Sequence, residues 1–417
     1  MGKFLVEGQR CLHGTVKVNG AKNSALKLMV AALLGRGVFT LENVPQIADV
    51  HTMGGVLEAV GARVSFSAQR MELEVSSLQG HTPEDLVKSM RASVQVLGPL
   101  LARLGWVEVA LPGGCAIGPR PLDIHLSGLK QMGATIDVRN GLLIARAKSR
   151  LQGAEIELRY PSVGATENIM MAATLAKGET VIRNAAQEPE LLDIQEFLNS
   201  MGAQVHGAGT PVIRIKGVDE LGSTSFSVMP DRIEAGTYLL ALLMTGGEGR
   251  LENVIPEHLE PLLKVVKNMG ASIEVGLDSI NISSCTNLRP FELATSPYPG
   301  FPTDLQPQMV AAAIHAYGVS RLEETVFDQR FGYITELKKL GAKIEQNGHQ
   351  VIVHGPTKLQ GAKLVAGDLR AGAALVLAAL TAEGESVIDG AHHIDRGYEQ
   401  MEHRLAQLGA KITRIED

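Results

Sequence analysis

Residues 111–126, LPGGCAIGPRPLDIHL, set Cys115 in a glycine- and proline-rich stretch with Arg120 close behind it. Such a loop gives a thiol little apolar packing. Glycines let backbone move and approach a ligand closely. A thiol near cations has a lowered pKa and serves better as a nucleophile or an acid. Lys22 and Asn23, in VNGAKNSALKLMV, stand at the start of a helical pattern, with Asn23 or Ser24 as its expected cap. A lysine there opposes the helix dipole, so stability does not explain it. An anion does, because the free N–H groups at a helix start already attract one. Arg91 in SMRASVQVLGPLL, Arg232 in PDRIEAGTYLLAL and Arg370 in DLRAGAALVLAAL repeat the placement. Asp231 and Asp368 have an ordinary role as first-turn carboxylates; the arginines do not. Asp304 follows the loop PYPGFPT and precedes an apolar helix. It reads either as an N-cap, with Thr303 the other candidate, or as a general base held in a cleft. AHHIDRGYEQM adds His392, His393 and Arg396, with no carboxylate spacing that suggests a metal.

Elements must bring these groups together, and the chain is built from a repeat. A helical pattern ending in Gly-Ala and passing into β-type residues recurs as LEAVGARV, LKQMGATI, LNSMGAQV, VKNMGASI, LKKLGAKI and LAQLGAKI. Its glycines are Gly61, Gly133, Gly202, Gly270, Gly341 and Gly409. Between them lies a second marker: an Ala/Leu-rich helix, a glycine, then a short β segment, as in IMMAATLAKGETVIRNA. The first helix of each unit is apolar nearly all round, which predicts burial; the second carries charge on one face. Six units divide into two sets of three. The opening segment, residues 1–21, is expected to pair back into the C-terminal half. The expected domains are 22–229, carrying Cys115, and 230–417 plus 1–21, with a double-crossover hinge near 20–23 and 228–232. Such a hinge suits closure around a ligand.

Composition narrows the partners. Aromatic residues are 4% of the chain, too few for a base-stacking platform, and the net charge of −6 argues against a polyanion binder. No nucleic-acid partner is expected. Cys11, Cys115 and Cys285 form no CxxC pair, which fits a reducing compartment. The N-terminus has no apolar signal region, and runs such as AGAALVLAAL fall well short of the ~20 residues that span a bilayer. A cytoplasmic protein with no membrane partner is expected. The phosphate-binding GxxxxGK[ST] loop, a dinucleotide-type GxGxxG after a strand, the GxSxG elbow and HExxH are all missing. The residues describe an enzyme or binder for a small, multiply anionic ligand.

VNGAKNSAL, PGGCAIGPRPLDIHLSGLKQMGA, SVGATENIM, VMPDRIEAGTY, GFPTDLQPQ and DLRAGAALVLAAL resemble the UDP-N-acetylglucosamine 1-carboxyvinyltransferases, a branch of the enolpyruvyl transferase family. The resemblance spans essentially the whole chain. It implies an α/β fold of two domains, six βαβαββ units with three per domain, of the inside-out α/β barrel type. It implies transfer of the enolpyruvyl group of phosphoenolpyruvate to the 3′-hydroxyl of UDP-N-acetylglucosamine, with release of phosphate. That is the first committed step of peptidoglycan biosynthesis. Cys115 then matches the proton donor to the methylene carbon, a site of covalent adduct formation with the co-substrate and of alkylation by fosfomycin. Asp304 matches the group that takes the sugar proton. Lys22, Arg120 and Arg396 match the cations around phosphate and carboxylate, with Arg330 and Arg370 in matching segments beside Asp368. Asn23, Arg91, the run Arg120, Pro121, Leu122, Asp123, Ile124 and His125, then Ser162, Val163, Gly164 and Val326, match contacts to the sugar nucleotide. No cofactor and no metal are implied. Gln95 stands where some members carry tryptophan, and Tyr160 where some carry lysine. Two other readings remain open: the sister 3-phosphoshikimate 1-carboxyvinyltransferase, and a non-catalytic paralogue that only binds a UDP-sugar.

Overall fold

The computed structural model describes residues 2–82, 85, 90–111 and 122–416, with backbone alone for 91–93. Two compact units emerge. One holds the described residues of 20–229; the other holds 2–19 and 230–416. Each has its own aliphatic core.

Among the described residues the strands form six small sheets, with no closed barrel of strands. In each, the strand that follows the buried helix pairs antiparallel with another strand, a later one in five sheets and Lys3–Glu7 in the sheet of Glu385–Asp389. In five of the six a parallel edge strand flanks it; in the order Glu292–Ala294, Gly318–Glu323, Gln350–Gly355, Lys343–Asn347, for example. The sixth has three strands among the described residues, and a parallel bridge of His81 to Glu108 marks the same edge. The six-unit α/β reading therefore holds. Its marker is visible in the backbone: all six Gly-Ala glycines have positive φ, between 94° and 113°. A side chain is strained there, so glycine ends each outer helix.

Two sheets of the C-terminal unit are completed from the start of the chain. Strand Lys3–Glu7 lies antiparallel between Glu385–Asp389 and Lys411–Ile415. Strand His13–Lys17 lies parallel to Glu248–Glu252. In the N-terminal unit, Ser225–Ser227 returns to pair with Gly37–Glu42.

The helices at the centre are buried on every side. Arg232–Met244, Gln306–Ala313 and Leu369–Ala379 pack on one another in the C-terminal unit. In the N-terminal unit, Leu97–Leu104 packs on Val163–Ala173 and on the turn Ala32–Leu34 that follows helix Lys22–Ala31. No helix among the described residues is long and apolar enough to cross a membrane. Buried helix starts are where the polar groups enter. Asp231 Oδ1 accepts from the Ile233 and Glu234 N–H groups, and Asp368 Oδ1 from those of Arg370 and Ala371. Each carboxylate satisfies two orphan donors, so both caps are stabilising by about 1 kcal/mol.

Candidate functional site

Helix Lys22–Ala31 starts differently from the capping expectation. Its N-cap is Ala21, with no side-chain cap; Asn23 and Ser24 lie within the first turn. Lys22 is buried, and its Nζ sits 2.7 Å from Asp49 Oδ2. That carboxylate offsets a cation the helix dipole disfavours. Ser24 donates to Asp193 Oδ2, which also accepts from the Met229 N–H at 3.2 Å. One turn on, Lys27 holds Glu167 at 2.9 Å, and Gln95 Nε2 donates to the same carboxylate at 3.0 Å.

Asp193 supplies a pH prediction. Burial pushes its carboxyl up to about 6, against the bonds from Ser24 and Met229 that lower it. A folded pKa above the unfolded one gives a contribution present below the ordinary carboxyl value of 3.8 and lost as pH rises through about 6. Both donors land on Oδ2, so an asparagine oxygen can accept both. Asp193→Asn is expected to stabilise the protein at pH 8 by on the order of 2 kcal/mol, with the gain shrinking toward pH 4. Melting curves across that range check it. A gain independent of pH would contradict the assignment.

Gln95, His125 and Gly164 form the second feature of this unit. Asn168 accepts from the Gly98 N–H and donates to Val94 O, so its other amide proton falls to His125 Nδ1 at 3.3 Å. His125 therefore carries its proton on Nε2. A Cβ on Gly164 would stand 3.1–3.2 Å from Gln95 Nε2 and His125 Nε2, so only glycine lets these side chains close in. Gln95 Nε2 donates to Gly164 O at 3.1 Å, and Ser162 caps helix Val163–Ala173 through the Ala165 N–H. The structure thus brings His125, Ser162, Val163 and Gly164 together. Leu122 and Ile124 are half-buried nearby in sequence, and exposed Asp123 pairs with Arg159 at 2.5 Å. Tyr160 is exposed. Cys115, Arg120, Pro121 and the Arg91 side chain lie outside the described residues.

In the C-terminal unit Asp304 is not the N-cap of its helix. It sits in the turn Thr303–Leu305, ahead of helix Gln306–Ala313, whose N-cap position is Leu305 with no side-chain cap. Its carboxylate instead joins two buried arginines. Arg330 Nη2 lies 2.8 Å from Oδ1 and Arg370 Nη2 3.0 Å from Oδ2. Both guanidiniums are 4% exposed. Burial pushes the Asp304 carboxyl up, but Arg370 and Arg330 together outweigh it and hold it far below the usual carboxylate range.

Arg370 is also anchored from behind. Its Nη1 donates to the Tyr398 hydroxyl at 3.2 Å, and Gln308 Nε2 donates to the same oxygen at 3.3 Å. Thr237 Oγ1 donates to Ile233 O, so the Tyr398 proton goes to Thr237 Oγ1 at 2.9 Å. Every group in this chain has a fixed direction, and Tyr398 has no proton to lend. Burial raises its pKa further. The Arg330 Nε has no partner among the described residues. Both buried cations share this one carboxylate as their direct ion-pair partner among the described residues, with Asp231 a more distant negative charge acting on Arg370. A small anion is the complement of this arrangement.

Arg396 is half-buried, and its charge helps keep the His393 pKa low, after burial and His392. The two histidine rings lie 4.1 Å apart between centroids, tilted by 38°. Among the described residues no three His, Cys, Asp or Glu are grouped to hold a metal ion. Asp49, Glu324 and Tyr398 were not singled out in the sequence, and Thr303 was read only as a candidate cap. Two of them adjoin segments that were: Tyr398 follows Arg396 in DRGYE, and Glu324 precedes Val326 in EETVF.

Known proteins share this arrangement of units. The family model described as EPSP synthase (3-phosphoshikimate 1-carboxyvinyltransferase) matches residues 6–405. A relative from Carboxydothermus hydrogenoformans, named UDP-N-acetylglucosamine 1-carboxyvinyltransferase 2, is 48% identical over all of both chains. One from Symbiobacterium thermophilum, named UDP-N-acetylglucosamine 1-carboxyvinyltransferase 1, is 48% identical over 99% of this chain and 95% of its own. Among solved structures, the enolpyruvyl transferase NikO from Streptomyces tendae superposes with a TM-score of 0.89 at 25% identity, covering 99% of this chain and 98% of its own. EPSP synthase from Acinetobacter baumannii reaches 0.79 at 18% identity over the whole of both chains, which speaks to the fold alone. With sheets, buried helix starts and full-length identity in agreement, the chain belongs to the enolpyruvyl transferase family, in its UDP-N-acetylglucosamine 1-carboxyvinyltransferase branch.

Proposed function

We propose that this protein transfers the enolpyruvyl group of phosphoenolpyruvate to the 3′-hydroxyl of UDP-N-acetylglucosamine and releases phosphate, opening peptidoglycan biosynthesis. The observation that carries the reading is full-length identity of 46–48% to four relatives of that name. The Arg330–Asp304–Arg370 cluster, with both arginines buried, supports it, because phosphoenolpyruvate is a compact anion with a phosphate and a carboxylate.

In this reading the Cys115 thiol gives a proton to the methylene carbon. Positive character develops at the neighbouring carbon, the sugar oxygen bonds there, and Asp304 takes the hydroxyl proton. The methyl carbon then returns a proton to the Cys115 thiolate, the carbon–oxygen bond to phosphate breaks with its electron pair going to the departing phosphate, and the double bond re-forms. Lys22, Arg120 and Arg396, with Arg330 and Arg370, hold the phosphate and carboxylate. Asn23, Arg91, Arg120 to His125, Ser162 to Gly164 and Val326 hold the sugar nucleotide, and Asp368 keeps Arg370 at the helix start. Asp304 gripped by two arginines is a weak base. An incoming phosphate or carboxylate that takes over a guanidinium relieves the grip and raises its basicity. A hinge near 20–23 and 228–232, and fosfomycin alkylation of Cys115, belong to the same reading. So do a cytoplasmic location and a reaction without metal or cofactor.

The test is phosphate release from phosphoenolpyruvate with UDP-N-acetylglucosamine, run beside shikimate 3-phosphate. Release with the sugar nucleotide alone is expected. Release with shikimate 3-phosphate alone would move the protein to the sister activity, and release with neither would favour the silent paralogue.

A further inference from the structure

Glu324 is a carboxylate with 1% exposure, and among the described residues none of its partners is a lysine or arginine. Burying a charge without a counter-ion is expensive unless hydrogen bonds saturate it. Here four do. Oε1 accepts from Thr295 Oγ1 at 2.9 Å, the Val326 N–H at 2.8 Å and the Phe327 N–H at 3.1 Å. Oε2 accepts from Thr303 Oγ1 at 2.8 Å. We propose that Glu324 is a positioning residue for the reaction, aligning Asp304 through Thr303 and Arg330 while fixing the turn that carries Val326.

An ionised carboxylate only accepts, so every neighbour must turn a proton toward it. For Thr303 this settles the direction of its hydroxyl. With its proton committed to Glu324, the Thr303 oxygen is left to accept from Arg330 Nη1 at 2.9 Å. Arg330 is a rigid fork. Once Nη1 is pinned on Thr303, Nη2 falls on Asp304 Oδ1 at 2.8 Å. The chain Glu324–Thr303–Arg330–Asp304 is therefore polar in one direction, and its last member is the proposed base.

A second route runs through the backbone. The Val326 and Phe327 N–H groups on Oε1 tie the turn after strand Gly318–Glu323, and the Phe327 ring lies 5.3 Å beneath the Arg330 guanidinium. Thr325 locks the same turn to Thr295, through its N–H at 3.0 Å and its hydroxyl at 2.6 Å. One carboxylate thus sets the rotamer of Arg330 from one side and the ring under it from the other. A neutral group of the same shape holds the turn less well and releases the Thr303 proton. Charge, rather than volume, explains a glutamate there.

The proposal rests on the reading above, in which Asp304 and Val326 serve catalysis and acceptor binding. Thr303→Val removes the hydroxyl at nearly constant shape; Thr303→Ser restores it. Phosphate release is measured for both, for Glu324→Gln, and for Asp304→Asn and wild type as references, with melting curves for each. Thr303→Val is expected to lower kcat by about 10- to 100-fold, the scale of a misplaced catalytic group, with KM for UDP-N-acetylglucosamine little changed. Thr303→Ser is expected within about threefold of wild type. Glu324→Gln is expected to lower kcat and raise that KM together, because it loosens both routes. A merely structural role predicts equal melting losses without this kcat-against-KM split. Thr303→Val matching Thr303→Ser in kcat, while Asp304→Asn is crippled, would overturn the positioning role and leave the function standing. Asp304→Asn with wild-type turnover would overturn the reading beneath it as well.

Discussion

Asp304→Asn is expected to lower kcat by about 10²–10⁴-fold, the usual worth of a general base, while tightening the apparent affinity for phosphoenolpyruvate. The two effects have opposite signs for one reason. Asp304 occupies Arg330 and Arg370 in the free protein, at 2.8 and 3.0 Å. Phosphoenolpyruvate must compete with it for those guanidiniums. A neutral amide competes poorly, so the anion binds more readily, but the amide cannot take the sugar proton. Folding responds too. Two buried arginines lose their shared carboxylate, a loss smaller than the ~3–5 kcal/mol of a fully buried pair because the Asp304 side chain is 28% exposed. Phosphoenolpyruvate is then expected to raise the melting temperature of the variant by more than that of wild type, since ligand supplies the missing charge. Kinetics of phosphate release and melting curves with and without phosphoenolpyruvate read all three. Near-normal kcat would remove Asp304 as the base; unchanged affinity would place the anion away from the two arginines.

Cys115→Ala is expected to abolish turnover. The thiol sits in a glycine-rich stretch that lets backbone approach a ligand, with Arg120 near in sequence to stabilise the thiolate left once the proton is given. Alanine can neither protonate the methylene carbon nor form an adduct. Cys115→Asp is expected to keep appreciable activity and to escape fosfomycin, because a carboxyl donates a proton but opens an epoxide poorly. Cys11 and Cys285 are free thiols and serve as internal controls. Intact mass of the fosfomycin-treated wild type should show one adduct per chain, absent in both variants. Turnover in Cys115→Ala close to wild type would defeat the assignment, and rapid adduct formation in Cys115→Asp would contradict the second expectation.

The repeat was legible because it rests on local rules. A glycine ends each outer helix in a left-handed conformation, and β-branched residues follow it. These signals lie within a few positions of one another and recur at regular spacing. The site was legible only in part. Arg370 and Asp304 were each visible as oddities, a cation at a helix start and a carboxylate after a loop. Their pairing spans 66 residues and follows from how buried helices pack, which no local pattern encodes. Asp49 was invisible for the same reason: an aspartate in a first turn has an ordinary role, and its partner Lys22 lies on another helix. Capping rules misplaced Asn23 and Asp304 because buried helix starts satisfy their N–H groups in other ways. Glu324 and Tyr398 hide as ordinary residues; only the direction of their hydrogen bonds reveals their work.

Strand Lys3–Glu7 completes a sheet with Lys411–Ile415. On the ribosome the first of these emerges long before the second. At bacterial-scale synthesis of about 5–20 residues per second, the early strand waits on the order of 20–80 s for its partner. The described strands of 20–229 have all their sheet neighbours within that segment, which can fold during that wait. The nascent C-terminal unit cannot finish until Lys411–Ile415 has emerged, and Lys3–Glu7 is meanwhile an unpaired edge within reach of chaperones.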